Sequence, residues 1–185
     1  MLDEIVPVIE NRPLTGGHFL LSLDAPRQAP DVRPGQFAMV RILGRSDVLL
    51  RRPMSIFDIK TPGGGQSGSS KKPAAPRILQ LLYKIVGRGT RLMAELKPGD
   101  KVGLLAPLGH GFFEEEYLPR AHASDEILQV AGGIGIAALM LPAKQLLTSR
   151  RGATRFPSRP LDSTAIRKGL RLKMGWISPF GAPST

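Results

Sequence analysis

Residues 51–56 read Arg-Arg-Pro-Met-Ser-Ile and residues 86–90 read Val-Gly-Arg-Gly-Thr, and each motif stands where a predicted strand ends. The first motif supplies a guanidinium that can bind a pyrophosphate in a forked geometry, with a hydroxyl close by. The second supplies glycines that permit close approach of the backbone, followed by a predicted helix N-terminus with a threonine hydroxyl, which suits a phosphate. Alone, each motif is also typical of a solvated arginine or of an ordinary turn and helix cap.

Short β-type runs separated by turn residues surround these motifs. The turn signal at residues 33–35 precedes a stretch of clean apolar–polar alternation, and a short helix with apolar residues at helical spacing follows Gly89. Several short strands with one small helix predict a six-stranded antiparallel barrel over residues 1–110. The predicted strands are 5–9, 18–23, 36–42, 48–57, 78–86 and 101–105.

Residues 61–77 form a low-complexity stretch rich in Gly, Ser and Pro. Such a composition buries too little apolar surface to order the backbone, so it predicts a flexible loop. Because the strand pattern resumes at residue 78, we interpret this loop as an extended hairpin connection within the barrel and not as a domain linker.

A second pattern begins after the predicted barrel. A predicted buried strand at residues 127–130 leads into the glycine-rich residues 131–135 and a helix-like segment, residues 136–147. Strand, glycine turn and helix are the opening of a nucleotide-binding α/β domain. We therefore expect residues 111–148 to hold a hinge and a partial domain of this kind.

Residues 149–185 show no sustained strand or helix period and are rich in Arg, Pro, Ser and Gly, so no strand is predicted there. Eight basic residues and one acidic residue, Asp162, give residues 150–185 a charge of +7 out of a net +11. The rest of the chain mixes both signs, which argues against a nucleic-acid-binding protein. We expect a basic, disordered tail, and its composition suggests a truncated or frame-shifted end.

The composition excludes several kinds of site. Cysteine is absent, which excludes disulfides, thiolate zinc sites and cysteine-ligated iron–sulfur clusters within these 185 residues. The three histidines lack the spacing of metal ligands, and no paired carboxylates, Ser–His–Asp triad or Walker motif stands out. No metal site and no catalytic side chain is therefore predicted.

Targeting signals are not evident. The opening residues MLDEIVPVIE lack the basic and apolar regions of a signal peptide. The longest apolar stretch, residues 127–143, is interrupted by Gln129, three glycines and Pro142, and is shorter than the roughly 20 residues that span a bilayer. We expect a soluble cytoplasmic protein without a membrane partner.

Four stretches, in this order and spacing, resemble the electron-transfer subunit of bacterial dihydroorotate dehydrogenase, within the ferredoxin–NADP reductase-like superfamily. The resemblance extends from about residue 3 to about residue 148 and implies an FAD-binding barrel of the ferredoxin-reductase type. The stretches are LLRRPMSI (49–56), LLYKIVGRGTRLMAELKPGD (81–100), LLAPLGHGF (104–112) and AGGIGIAAL (131–139).

The superfamily's flavin motif, Arg-x-Tyr-Ser, falls on four consecutive residues: Arg52, Pro53, Met54 and Ser55. The resemblance implies that Arg52 binds the pyrophosphate of FAD and that Ser55 lies beside the isoalloxazine. Met54 stands where the superfamily has tyrosine.

A glycine–hydroxyl motif for the same pyrophosphate falls on Gly87, Gly89 and Thr90. The strand before it supplies three further residues, which the resemblance places along the ribityl chain and flavin: Tyr83, Lys84 and Ile85.

The family's nicotinamide-nucleotide loop, Gly-Gly-Gly-Ile-Gly-x-Ala-Pro, falls on residues 131–138, with Ala131 and Ala138 in place of the first glycine and the proline. This makes residues 111–148 a hinge and partial NAD-binding domain, whose helix contains Pro142 near its second turn and is weakened by it. The glycines implied to contact NAD are Gly132, Gly133 and Gly135. The family also binds a [2Fe–2S] cluster through C-terminal cysteines, and this sequence has none.

Three functional hypotheses follow. In the first, the chain is an electron-transfer subunit of pyrimidine biosynthesis, whose FAD takes electrons from an FMN-containing dihydroorotate dehydrogenase catalytic subunit and reduces NAD. In the second, it is a non-catalytic FAD-binding remnant, because the cluster ligands and most of the NAD domain are missing. The third, a basic nucleic-acid-binding protein, rests only on the tail.

Overall fold

The computed structural model describes residues 1–44, 50–62, 75, 77–113, 128–149 and 173–176. The strands are β1 (Leu2–Pro13), β2 (His18–Asp24), β3 (Phe37–Ile42), β4 (Arg52–Lys60), β5 (Ile78–Lys84), β6 (Lys101–Leu108), β7 (Leu128–Ala131) and β8 (Lys173–Trp176). The helices are α1 (Arg88–Ala94) and α2 (Ile136–Ser149), with 3₁₀ turns at Thr15–Gly17, Ala29–Asp31 and Gly133–Gly135.

The first six strands close into a barrel in the order β1-β2-β5-β4-β3-β6, and β6 pairs with β1. Every neighbouring pair is antiparallel. The predicted six-stranded antiparallel barrel and its single small helix are thereby confirmed.

The barrel core follows from alternating apolar residues that point inward from each strand. Leu21, Leu23, Leu79 and Leu81 are completely buried there, and each such side chain contributes about 1.5–3 kcal/mol through its removal from water. Helix α1 adds the buried Met93 to this core, and its Gly89 contacts Arg52, the first residue of β4.

Strands β4 and β5 pair over only part of their length. Residues 56–60 pair with residues 78–81, with a bulge between Ile56 and Asp58. Beyond the bulge, residues 52–55 pair with β3 and residues 82–84 pair with β2, and the two segments do not pair with each other. Bulges commonly end strand pairing in this way. We call these two facing segments the open seam.

Helix α2 packs against β4, and its Lys144 binds Asp58 in the part of β4 that is paired with β5. It buries Ala137, Leu141, Ala143 and Leu146. The predicted strand, glycine turn and helix are observed as β7, the turn Gly133–Gly135 and α2.

The prediction that no strand follows residue 149 was wrong. Strand β8 lies there and pairs in parallel with β7, from Leu128 opposite Lys173 to Ala131 opposite Trp176. Four residues are too short to show a periodic pattern, and parallel pairing is decided by a distant strand. The predicted tail otherwise lies outside the described residues, as does most of the predicted loop at 61–77.

None of the helices in the described part of the chain combines the length and apolar character needed to span a bilayer.

Candidate functional site

Arg52 and Gly89, one from each sequence motif, are in contact. Arg52 is the first residue of β4, and its guanidinium lies over the position where a side chain of Gly89 would start. A β-carbon built on Gly89 would lie 2.5 Å from Nη2 and 2.6 Å from Cζ of Arg52, and it would also overlap Nε. On its other side, Nη1 donates a hydrogen bond to the carbonyl of Leu50. The fold therefore joins the two motifs into one place at the open seam.

Arg51 has a different partner from Arg52. Its Nη2 donates to both carboxylate oxygens of Asp3, at 3.0 and 2.8 Å, so it ties the segment before β4 to β1. Of the two adjacent arginines, only Arg52 faces the glycine motif.

Thr90 shapes the turn before α1. Its Oγ1 accepts hydrogen bonds from the N–H groups of Val86 (2.9 Å) and Gly87 (3.2 Å) and donates to the carbonyl of Gly87 (3.1 Å). One donor and two acceptors are the full capacity of a hydroxyl. The sequence suggested that this hydroxyl is offered to a phosphate, whereas in the structure it caps the helix, as a side chain at the third helical position commonly does.

The remaining residues of the flavin motif lie along β4. Pro53 is exposed, and Ser55 is half-buried opposite Phe37 of β3. Met54 packs against the barrel core, so the residue in place of the superfamily's tyrosine contributes to the core.

Tyr83 also belongs to the core and not to the surface of the seam. It is 1% exposed, its ring stacks on Phe19 with centroids 5.5 Å apart, and its hydroxyl donates to Oδ1 of Asn11 at 3.1 Å. Burial raises the pKa of Tyr83 to about 12, and the hydrogen bond with Asn11 partly opposes this rise. Tyr83 therefore faces the seam only with its backbone. After it, Lys84 is exposed and Ile85 is half-buried, with its N–H donating to the carbonyl of Gly17 at 3.0 Å.

Asn11 was not predicted from the sequence, yet it places α1. Its Nδ2 donates to the carbonyls of Met93 (2.8 Å) and Leu96 (3.2 Å), in addition to the bond that Oδ1 accepts from Tyr83. This one side chain joins β1, β5 and the C-terminal end of the helix that begins with the glycine motif. Little in the sequence signals this role, because Asn11 lies two residues after the predicted strand at 5–9, and amide residues are disfavoured in strands such as the observed β1.

Similarity to known proteins extends over most of this chain. No protein-family model matches it. The dihydroorotate dehydrogenase B (NAD(+)), electron transfer subunit of Desulforamulus reducens is 37% identical over 128 residues, which cover 69% of this chain and 42% of that protein. The equivalent subunit of Geobacillus thermodenitrificans is 34% identical over 143 residues, 77% of this chain and 49% of that protein. The chain is a homologue of these electron transfer subunits. It spans about half the length of the curated relatives it matches.

Several solved structures have the same fold as this chain. A ferredoxin NADP⁺ reductase from Neisseria gonorrhoeae with bound FAD and NADP has a TM-score of 0.62 at 16% identity, over 98% of this chain and 70% of that one. Phthalate dioxygenase reductase has a TM-score of 0.58 at 20% identity, over 95% of this chain and 44% of that one. The barrel is therefore of the ferredoxin-reductase type, as the sequence predicted.

The glycine-rich residues 132–135 of this chain form an exposed turn between β7 and α2, and the turn lies against β5. Gly133 has φ +53°, which disfavours other residues, and the N–H of Gly135 donates to the carbonyl of Gly132 at 3.0 Å. A β-carbon on any of the three would meet nothing within 4 Å. Folding thus explains the glycine at 133, and the other two glycines leave room for a ligand to approach the backbone.

An ion pair fixes α2, and with it this turn, to the barrel. Lys144 of α2 binds the carboxylate of Asp58 on β4, and the other carboxylate oxygen accepts the N–H of Ile59 at 3.0 Å. The Asp58 side chain is 4% exposed and that of Lys144 is 50% exposed. A buried carboxylate needs such a partner, because charge is costly to remove from water.

Proposed function

We propose that this chain binds FAD, with the pyrophosphate on Arg52 and the flavin along the open seam. The observation that carries the proposal is the contact of Arg52 with Gly89 at the place where β4 and β5 separate. The proposed contacts come from the flavin motif (Arg52, Pro53, Met54, Ser55), the strand before the glycine motif (Tyr83, Lys84, Ile85) and the glycine motif (Gly87, Gly89, Thr90). Tyr83 and Thr90 would contribute through their backbone, because their side chains are already buried or fully hydrogen-bonded.

The residues present suit this ligand. A pyrophosphate carries negative charge, and a half-buried guanidinium beside a glycine turn offers charge-assisted hydrogen bonds in a planar arrangement. The strand edges that face each other across the seam are free of mutual pairing, so their backbone groups can bind polar parts of a ligand. Leu50 and Val86, which are 80% and 81% exposed, adjoin the two motifs and offer apolar contact to a ring.

The chemistry belongs to the cofactor. Bound FAD supplies the capacity to accept and donate electrons, and the chain's task is to hold, orient and tune it. Tyr83, Met54 and Asn11 keep the seam in place from the core side, and none of them is assigned a proton-transfer role.

The names of the relatives suggest a redox partner and an electron acceptor for this protein. We infer that the complete protein passes electrons from an FMN-containing, dihydroorotate-oxidising catalytic subunit to NAD, in the cytoplasm and as part of pyrimidine biosynthesis. Gly132, Gly133 and Gly135 are then the NAD contacts. The turn that carries them lies against β5, one strand of the seam, which supports this assignment.

A [2Fe–2S] cluster does not fit this chain. Such clusters are held by cysteine thiolates or, in part, by histidines, and the 185 residues contain no cysteine. We therefore assign no electron-transfer step through a cluster here. The same observation favours a second candidate function, an FAD-binding remnant that does not relay electrons.

Titration of the purified protein with FAD tests the proposal. We expect oxidised-flavin absorbance from the bound cofactor and, in Arg52→Ala, affinity weaker by roughly 10- to 150-fold, the equivalent of the 1.5–3 kcal/mol of a charge-assisted hydrogen bond. Arg27→Ala is the matched control, because Arg27 is exposed and pairs with Glu4 of β1 and not with a residue of either motif. Equal affinity in Arg52→Ala and Arg27→Ala would remove Arg52 from the site.

A further inference from the structure

Gly89 occupies a position where glycine is unfavourable for the local structure. It is the second residue of α1, and glycine inside a helix costs about 0.5–1 kcal/mol relative to alanine. Its backbone does not require glycine either, because Gly89 is not among the residues with positive φ. Local folding therefore gives no reason for a glycine here.

The reason lies in a side chain from another part of the barrel. The guanidinium of Arg52 fills the space that a β-carbon of Gly89 would take, with Nη2 at 2.5 Å and Cζ at 2.6 Å from that position. At Gly87, two residues earlier, a β-carbon would meet nothing within 4 Å. The two glycines of the motif thus differ, and only Gly89 makes room for the arginine.

We propose that Gly89 is a positioning residue, whose missing side chain forms the seat of the Arg52 guanidinium and thereby sets the affinity for a pyrophosphate-bearing flavin. The inference rests on the proposed FAD site and deepens it. The sequence motif suggested that this glycine lets the backbone approach a phosphate, whereas the structure fills that space with Arg52.

Any larger residue at position 89 moves the arginine and leaves the fold intact. The atoms that a β-carbon would meet all belong to the end of a long, flexible side chain, which can rotate away. The backbone of α1 keeps its hydrogen bonds, including the one from the N–H of Arg91 to the carbonyl of Gly87 at 3.0 Å. Gly89→Ala is accordingly expected to weaken FAD binding while leaving the thermal midpoint equal to or above that of the wild type.

The effect also depends on the ligand. Arg52 recognises phosphate through charge, so displacing it affects FAD and not riboflavin, which has the same ring system and ribityl chain without a phosphate. A change that acted by distorting the seam would weaken both ligands alike.

A double-mutant cycle with full-length protein tests the inference. The variants are Gly89→Ala, Arg52→Ala, the double variant, and Lys97→Ala as an exposed control in the turn after α1. We expect Gly89→Ala to bind FAD roughly tenfold more weakly, with riboflavin affinity and the thermal midpoint not reduced. In the Arg52→Ala background, Gly89→Ala should change FAD affinity less than about twofold, since the clashing side chain is gone.

Three results would overturn the inference: wild-type FAD affinity in Gly89→Ala, an equal loss of FAD and riboflavin affinity, or the same loss with and without Arg52. If Gly89→Ala does not fold, the double variant decides, because it folds only if the arginine is the obstacle. Failure of the wild-type chain to bind FAD would instead refute the proposed function.

Discussion

At the scale of single residues, Asn11 shows how one polar side chain supports a site that it does not touch. It makes three hydrogen bonds, two to carbonyls at the end of α1 and one from the buried Tyr83 hydroxyl. The helix it holds begins with the glycine motif that meets Arg52. The motif residues were predictable because their local chemistry suits a phosphate, but Asn11 was not, since its partners are about 70–85 residues away in sequence.

Replacing Asn11 with Ala should destabilise the barrel. The substitution leaves the carbonyls of Met93 and Leu96 and the hydroxyl of Tyr83 without their partner, at a cost of about 1–3 kcal/mol. Urea denaturation followed by far-ultraviolet circular dichroism measures the free energy of unfolding. An unchanged value would mean that water replaces the amide and that Asn11 does not hold α1.

The stability of the protein should fall at high pH because of Tyr83. Its pKa is 10.0 in the unfolded chain and about 12 in the fold. As the pH rises, the hydroxyl of Tyr83 therefore loses its proton first in the unfolded state. The contribution of the protonated Tyr83 to the free energy of unfolding is complete below pH 10 and declines as the pH rises towards about 12. The contribution is on the order of 2–3 kcal/mol. The difference in unfolding free energy between wild type and Tyr83→Phe should shrink over this interval, and a constant difference would contradict the raised pKa.

At the scale of elements, the barrel strands were predictable, whereas the open seam and β8 were not. Alternation and turn residues are local, so β2 and β3 were found within one residue of their observed bounds. The seam depends on which strands pair with each other and on the bulge between Ile56 and Asp58, and no local pattern encodes either. The resemblance assigned Arg52 and Gly89 to the same pyrophosphate, but their direct contact was not predicted, because it depends on how the closed barrel brings the two strands together.

The ion pair between α2 and β4 should stabilise the helix on the barrel. Lys144→Ala leaves the buried carboxylate of Asp58 without this cation. We expect the free energy of unfolding to fall by about 1–3 kcal/mol, between the values measured for exposed and for buried ion pairs. Hydrogen exchange should show faster opening of α2 with little change in β2. Lys60→Ala, exposed on the same strand, is the control. The double variant Asp58→Asn, Lys144→Ala should recover part of the loss, and no recovery would rule out the ion pair as the cause.

At the scale of the whole molecule, the described residues form a closed six-stranded barrel and a smaller second unit with a two-stranded sheet. The described residues after the barrel provide β7, α2 and β8. A dinucleotide crevice is formed by the carboxyl ends of several parallel strands, where the strand order reverses. The two parallel strands described here therefore offer less support to a nicotinamide than to the pyrophosphate that a glycine turn can bind.

We expect NADH to reduce FAD bound to the 185-residue chain no faster than it reduces free FAD. Hydride transfer requires the nicotinamide to be held at about 3–3.5 Å from the flavin, and the described part of the second unit gives it little support. Anaerobic stopped-flow measurement of flavin bleaching provides the rate. Saturable reduction at ordinary enzymatic rates would contradict this expectation and would exclude the remnant hypothesis.

Reconstitution with iron and sulfide should give no [2Fe–2S] centre in this chain, because cysteine ligands are absent. Absorbance and electron paramagnetic resonance after reduction report the cluster directly. A stoichiometric cluster signal would show that other residues hold the iron.

The crystal structure of the FAD complex tests the central claim most directly. We predict pyrophosphate oxygens within hydrogen-bonding distance, roughly 3 Å, of the Arg52 guanidinium, with the isoalloxazine between residues 52–55 and 82–84. FAD bound elsewhere on the barrel, or in the seam with its pyrophosphate away from Arg52, would contradict the proposed site.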